Sequence, residues 1–113
     1  MKNFNLLPEF EKDFKRLFKK YRTLRDDFEK FKKILANYPT GVGNNFVIIN
    51  SRSARRVIKA RMACRTLCDR SLRVIYAYSE INESFDFIEL YFKGDKERED
   101  AERIRCYLES GDQ

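Results

Sequence analysis

The sequence predicts an α+β domain in which an N-terminal helical hairpin packs on a small, mainly antiparallel β-sheet, with a further helix near the C-terminus. Two patterns indicate this class. Apolar residues recur at helical spacing between residues 10 and 35, and β-branched and aromatic residues form dense runs between residues 46 and 93. The 113 residues, 42% of them hydrophobic, suit one small domain spanning residues 1–113.

The N-terminal third is predicted to form a short strand and two antiparallel helices. Residues 4–7 are apolar enough for a strand, and Pro8 suits the first turn of a helix. Thr23, followed three residues later by Asp26, is predicted to cap the second helix, which Pro39 is predicted to end. The apolar stripes of the two helices are formed by Phe10, Phe14, Leu17, Phe18, Tyr21, Leu24, Phe28, Phe31 and Leu35.

The rest of the chain is predicted to form a β-meander followed by one helix. The β-prone runs cover residues 46–49, 57–63, 72–81 and 85–93. Asn82-Glu83-Ser84 is predicted to be the turn of a hairpin between the last two strands. Asp95 is predicted to cap a final helix that begins near Lys96, and all helices are expected to lie against one face of the sheet.

Strand alternation assigns side chains to the two faces of this sheet. The face against the helices is predicted to take Ile58, Ala60, Met62, Val74, Tyr76, Tyr78, Ile88, Leu90 and Phe92. The opposite face is predicted to be open and to include Phe87 among its apolar residues. Its polar side chains form the candidate phosphodiester site: Lys59, Arg61, Arg73, Glu89, Tyr91 and Lys93.

Positive charge is concentrated in the middle of the chain. Residues 52–73 contain eight Lys or Arg, seven of them Arg, and one acid, Asp69, whereas residues 74–113 have an excess of acids. Because the guanidinium fork matches a phosphate, this stretch indicates an anionic partner, of which nucleic acid is the commonest. A solvated basic surface without a ligand explains the composition equally well.

Several function classes are excluded or disfavoured by composition. The chain has no His and only three Cys, so neither a disulfide framework nor a zinc site is expected. No apolar run is long enough to span a membrane, and residues 1–4 begin no secretory signal. The short Gly41-Val42-Gly43 stretch lacks the context of a phosphate-binding loop. We therefore expect a reduced, cytoplasmic protein without a metal or cofactor.

Three segments together resemble the RelE/ParE superfamily of bacterial toxin–antitoxin toxins. Val57-Ile58-Lys59-Ala60-Arg61 resembles the basic strand of the family, and Leu72-Arg73-Val74-Ile75-Tyr76 resembles its arginine-bearing strand. The run from Phe87 to Lys96 is similar to the closing strand. The resemblance covers most of the chain and implies the RelE-like fold.

The resemblance also implies a function and a partner. RelE-type toxins enter the ribosomal A site and cut mRNA without a metal, and a cognate antitoxin protein neutralises them. By motif position, Arg73 would stabilise the phosphate while Lys59 and Arg61 hold the RNA backbone. Glu89, Tyr91 and Lys93 are the substitute candidates for proton transfer, since the chain has no histidine.

Two departures from the family pattern keep other functions open. Phe92 stands where several relatives carry His, and Ala101 falls near the position of the C-terminal tyrosine of RelE-type toxins. The alternatives are a ParE-like toxin that binds DNA gyrase, a non-catalytic or decayed RelE-like interaction module, and a simple nucleic-acid-binding domain.

Overall fold

Strands and helices succeed one another as β1-α1-α2-β2-β3-β4-β5-α3 in the computed structural model, which describes residues 3–51, 54–68 and 70–111. The strands are β1 (Asn3–Leu6), β2 (Phe46–Asn50), β3 (Arg55–Ala63), β4 (Ser71–Ser79) and β5 (Ser84–Phe92). The helices are α1 (Pro8–Phe18), α2 (Leu24–Asn37) and α3 (Ala101–Gly111). Within the described residues, this order confirms the predicted α+β class.

The five strands form one sheet in the order β1-β5-β4-β3-β2. Strands β2 to β5 pair antiparallel, as consecutive strands joined by short connections do. Strand β1 adds to the far edge of β5 in parallel orientation, with Asn3 opposite Ser84 and Leu6 opposite Phe87. The sheet is therefore mainly antiparallel, as predicted.

The main core lies between the helical hairpin and one face of the sheet. Phe10 of α1, Phe28 of α2 and Phe87 of β5 meet there, with ring centroids 5.0–5.5 Å apart. Such aromatic contacts add to the area burial that drives packing of the two amphipathic helices. The predicted apolar stripes of α1 and α2 face this core.

The beginnings of two helices differ from the prediction. Thr23 precedes α2, but its hydroxyl makes no capping bond and instead lies 2.6 Å from the hydroxyl of Thr66. The third helix begins at Ala101 rather than near Lys96, and the Asp100 carboxylate caps it by accepting a hydrogen bond from the Arg103 N–H at 3.1 Å. Residues 93–100 therefore form an irregular connecting segment between β5 and α3.

Helices cover both faces of the sheet, so the expectation that they lie against one face is wrong. Ile104 of α3 packs on the face opposite the hairpin. The second core that it completes contains Val57, Ile75, Ala77, Ile88 and Tyr91, with Leu7, Ile49, Tyr107 and Leu108 at its margin. The central residues of this face are apolar, which gives α3 a surface to bury.

Because of a β-bulge in β5, two residues lie on the faces of the sheet opposite to those predicted. Ile75 of β4 lies opposite Glu89, but the next residue, Tyr76, lies opposite Phe87, so Ile88 is the extra residue. Phe87 consequently faces the hairpin and Ile88 faces α3, the reverse of the alternation prediction. Beyond the bulge, Leu90 lies on the hairpin face and Tyr91 on the opposite face, which are the predicted faces, although α3 covers the face of Tyr91.

We expect stability to fall in alkaline solution because of Tyr76. Its hydroxyl donates a hydrogen bond to the Pro39 carbonyl at 2.9 Å, and burial raises its pKa well above the ordinary value of 10.0. The folded state thus keeps the proton that the unfolded chain loses above pH 10.0. Unfolding should become easier by up to about 1.4 kcal/mol per pH unit above that point, measured by urea denaturation.

The matched variants for this pH dependence are Tyr76→Phe and Tyr38→Phe. Tyr76→Phe should weaken the dependence and lower stability near neutrality by about 1 kcal/mol, through loss of the bond to Pro39. Tyr38 is 54% exposed, and its replacement should leave the dependence unchanged. If the free energy of unfolding of Tyr76→Phe fell with rising pH as steeply as that of the wild type, the assignment of this pH dependence to Tyr76 would be contradicted.

Candidate anion-binding cleft

Two arginines lie directly opposite each other on neighbouring strands of the face that α3 partly covers. Arg61 of β3 pairs with Arg73 of β4, and Arg73 pairs on its other side with Tyr91 of β5. Regular alternation in β3 and β4 gives Lys59 the same face as Arg61. Lys93 follows the end of β5 and lines the same cleft. The sheet thus brings together all four of the sequence-predicted cations.

The cations line two adjoining clefts, which we call together the basic cleft. One, of about 430 Å³, lies over the end of β5 and is bounded by Arg61, Arg70, Ser71, Arg73, Phe92, Lys93 and Gly94. The other, of about 310 Å³, reaches toward β2 and is bounded by Asn44, Asn45, Val47, Ile49, Lys59, Ala60, Arg61, Arg73, Lys93 and Glu99. Arg61, Arg73 and Lys93 border both.

Four of the five cations that border the basic cleft have no acidic partner among the described residues. Arg61, Arg70, Arg73 and Lys93 take part in none of the ion pairs there, and the Arg73 guanidinium donates only to the Ser71 carbonyl, at 3.4 Å. Arg70 lies over the Phe92 ring, 5.9 Å from its centroid. Like charges placed opposite each other on paired strands repel, so this arrangement favours binding of an anion between them. Arg52 and Asp69, part of the predicted basic stretch, lie outside the described residues.

Lys59 differs from the other cations because it is paired. Its ammonium donates a hydrogen bond to Glu99 at 3.0 Å, and both side chains are about one-third exposed or less. Burial alone would lower the pKa of Lys59, but the hydrogen bond and charge of Glu99 raise it above its ordinary value. Burial would raise the pKa of Glu99, but the bond from Lys59 leaves it below its ordinary value. Both groups therefore stay charged at neutral pH.

The expectation that Glu89 and Tyr91 lie on an open face is wrong. They are 1% and 3% exposed, because α3 and the connecting segment cover this part of the sheet. Glu89 is a structural anchor: it accepts a hydrogen bond from the Asp100 N–H at 2.7 Å and forms an ion pair with Lys96. Its carboxylate thereby fixes both ends of the stretch from Lys96 to Asp100.

The hydroxyl of Tyr91 is buried and has no hydrogen-bond partner within the described residues. Burial raises the pKa of Tyr91, and the nearby Lys59 ammonium only partly offsets this effect. The phenol thus stays protonated near neutral pH and lies near the Lys59 ammonium. Arg61, Arg73 and Lys93 remain the accessible groups of the predicted site, and their catalytic roles stay predictions.

Glu99 was missed by the sequence analysis, which placed it in the first turn of the last helix. It lines the cleft only because the connecting segment is irregular and crosses back toward β3. The acidic composition of residues 95–102 was the available signal, but it carried no information about which carboxylate would reach Lys59. Among the described residues, no group of three His, Cys, Asp or Glu side chains is placed to hold a metal ion.

No protein-family model matches this chain, and neither does any curated protein. The resemblance to RelE/ParE toxins therefore depends on the residues quoted above and on the α+β fold. None of the helices in the described part of the chain has the length and apolar character required to cross a membrane.

Proposed function

We propose that the basic cleft binds the phosphodiester backbone of RNA, and that the protein is a RelE-type toxin that cuts mRNA in the ribosomal A site. The observation that carries the proposal is the Arg61–Arg73 pair. Two guanidinium groups lie opposite each other at a cleft, with no carboxylate partner among the described residues. Guanidinium groups bind phosphate oxygens through paired hydrogen bonds, and proteins bind single-stranded nucleic acid in positively charged grooves.

The same geometry supports a role in bond cleavage. When a ribose 2′-OH attacks the adjacent phosphorus and the P–O5′ bond breaks, negative charge increases on the phosphoryl oxygens. Arg73 lies between Arg61 and the covered Tyr91 in the row of side chains across the sheet, and this central position makes it the donor that we assign to those oxygens. Arg61 and Lys93 would hold the flanking backbone, and the ribosome would supply alignment of the RNA.

One observation favours a second candidate, a RelE-like module that binds RNA or the ribosome without cutting. The carboxylate and phenol proposed for proton transfer, Glu89 and Tyr91, are covered. In the accessible pair of Lys59 and Glu99, the two pKa values are shifted apart and away from neutrality. A pair whose pKa values are both moved away from pH 7 is better suited to binding than to acid–base catalysis.

The experiment is induction in bacterial cells, followed by mapping of mRNA 5′ ends on ribosomes. We expect growth arrest with codon-phased cuts for the wild type, and a loss of about 100-fold or more in cutting for Arg73→Ala. The matched control is Arg56→Ala. Arg56 is exposed on β3 like Arg61, but it lies near the other end of the strand and on the other face.

The other outcomes separate the alternatives. Arrest without cuts that still depends on Arg73 would favour the non-cutting module. Arrest with DNA damage and intact mRNA would indicate a gyrase-binding toxin. An equal loss of mRNA cutting in Arg56→Ala and Arg73→Ala would overturn the assignment of the basic cleft as the RNA-binding site. A neighbouring reading frame for a small acidic protein would support the expected antitoxin partner.

A further inference from the structure

The Lys59–Glu99 ion pair is unusual for its position at the cleft. Every other cation that borders this part of the cleft, namely Arg61, Arg73 and Lys93, lacks an acidic partner among the described residues. Glu99 belongs to the connecting segment, and its carboxylate reaches across to β3, forty residues earlier in the chain. A carboxylate held by an ammonium at the rim of an anion-binding cleft occupies the place that a phosphate oxygen would take.

We propose that the Glu99 carboxylate is an internal phosphate mimic, which occupies Lys59 in the free protein and is displaced when RNA binds. This inference rests on the proposed function, because it assumes that RNA is the ligand of the basic cleft. It assigns to Lys59 a fourth backbone contact that becomes available only after Glu99 moves away. Glu99 thereby weakens non-specific RNA binding by the free protein.

The anchoring of the connecting segment makes the displacement local. Glu89 holds Lys96 on one side of Glu99 and the Asp100 N–H on the other. The backbone on both sides of Glu99 can thus keep its position while the side chain rotates into solvent. Both members of the Lys59–Glu99 pair are partly exposed, and ion pairs of this kind are weak enough for a phosphate to replace.

The chain offers a matched control for this proposal in Glu97. It lies two residues before Glu99 in the same segment, is exposed, borders neither part of the basic cleft and forms no ion pair among the described residues. Glu97→Gln and Glu99→Gln remove the same charge from the same segment. Only Glu99→Gln leaves Lys59 without a neutralising carboxylate.

The test measures binding of a short fluorescent oligouridylate by anisotropy over a series of salt concentrations. We expect Glu99→Gln to bind about fivefold more tightly than the wild type at low salt. Its log–log salt dependence should match that of the wild type, because Lys59 contacts the same phosphate in both complexes, whereas Lys59→Ala should flatten it by about 0.7. Glu97→Gln should give a smaller gain and an unchanged slope. In a Lys59→Ala background, Glu99→Gln should increase the affinity for the oligouridylate by no more than Glu97→Gln does.

The outcomes distinguish failure of this inference from failure of the proposed function. Equal affinities of Glu99→Gln and Glu97→Gln for the oligouridylate, in a protein whose binding still depends on Arg73, would overturn the phosphate mimic alone. A gain that persists in the Lys59→Ala background would overturn it as well. Absence of RNA binding by both the wild type and Glu99→Gln would overturn the RNA-binding cleft itself. Circular dichroism of each variant verifies that the fold is retained.

Discussion

Replacing Asp13 with alanine is expected to lower the free energy of unfolding by about 3 kcal/mol. The Asp13 carboxylate is buried on α1 and accepts hydrogen bonds from the Leu90 N–H at 3.1 Å and from the Arg103 guanidinium at 2.8 Å. Alanine would leave a buried backbone donor without a partner and a mostly buried guanidinium without its counter-charge. Because this guanidinium is still 22% exposed, the loss should fall at the lower end for buried ion pairs.

The reason for this large effect lies at the edge of the sheet. Strand β1 ends at Leu6, and the last backbone bond across that edge runs from the Leu7 N–H to the Phe87 carbonyl. Further along β5, Arg103 donates to the Ile88 carbonyl at 3.0 Å, and Asp13 accepts from Leu90. Side chains of α1 and α3 thus replace the missing strand partner beside the bulge.

Urea denaturation would measure the effect, with two variants for comparison. Asp13→Asn keeps an oxygen acceptor for Leu90 and should lose less stability than Asp13→Ala. Glu11→Ala removes an exposed acid from the same helix and should change stability by no more than about 0.5 kcal/mol. Equal losses for Asp13→Ala and Glu11→Ala would contradict the role assigned to Asp13.

Replacing Glu89 with alanine is the second change for which we expect a large effect. It should lower the free energy of unfolding by about 2–3 kcal/mol. Glu89 is 1% exposed, and the variant would leave the Asp100 N–H without its acceptor and Lys96 without its counter-ion. The connecting segment would then no longer be anchored on the sheet. Amide hydrogen exchange should therefore rise in α3 more than in α1, because α1 packs on the other face.

Two comparisons make the Glu89 prediction decisive. Glu89→Gln retains an oxygen that can accept from Asp100 but lacks the charge that pairs with Lys96, so its loss should be intermediate. Glu97→Ala, in the same connecting segment, should have little effect on stability. If Glu89→Ala left both the unfolding free energy and the exchange rates of α3 unchanged, the anchoring role would be wrong.

The regular parts of the fold could be predicted from the sequence because local pattern and tertiary packing agree there. The stripes of α1 and α2 follow helical spacing, and both faces of β3 and β4 follow simple alternation. That regularity is why Lys59, Arg61 and Arg73 were correctly placed on one face. The charge pattern pointed to the same strands, although it could not show which cations would be paired.

The parts that could not be predicted depend on irregular backbone. The bulge at Ile88 exchanges the faces of two apolar residues, and either arrangement buries both, so composition does not reveal it. The sequence did contain a signal that the part of the sheet around Glu89 and Tyr91 is covered. Val57, Ile75 and Ala77 make the centre of the supposedly open face apolar, and Ile104, Tyr107 and Leu108 give α3 a matching stripe. The acidic composition of residues 95–102 did not show the path of the connecting segment, and so it did not show that Glu99 would reach Lys59.

The joining of the two ends of the chain has a consequence for biosynthesis. Asp13 and Arg103 are ninety residues apart, and β1 has no strand partner until β5 has been synthesised. Contacts of such long range form slowly, and during translation the N-terminal partner is made first. A nascent chain thus keeps β1 without its strand partner until β5 has left the ribosome, and Asp13 without its ion-pair partner until Arg103 has left it. We expect protease resistance of ribosome-bound chains to appear only after that length.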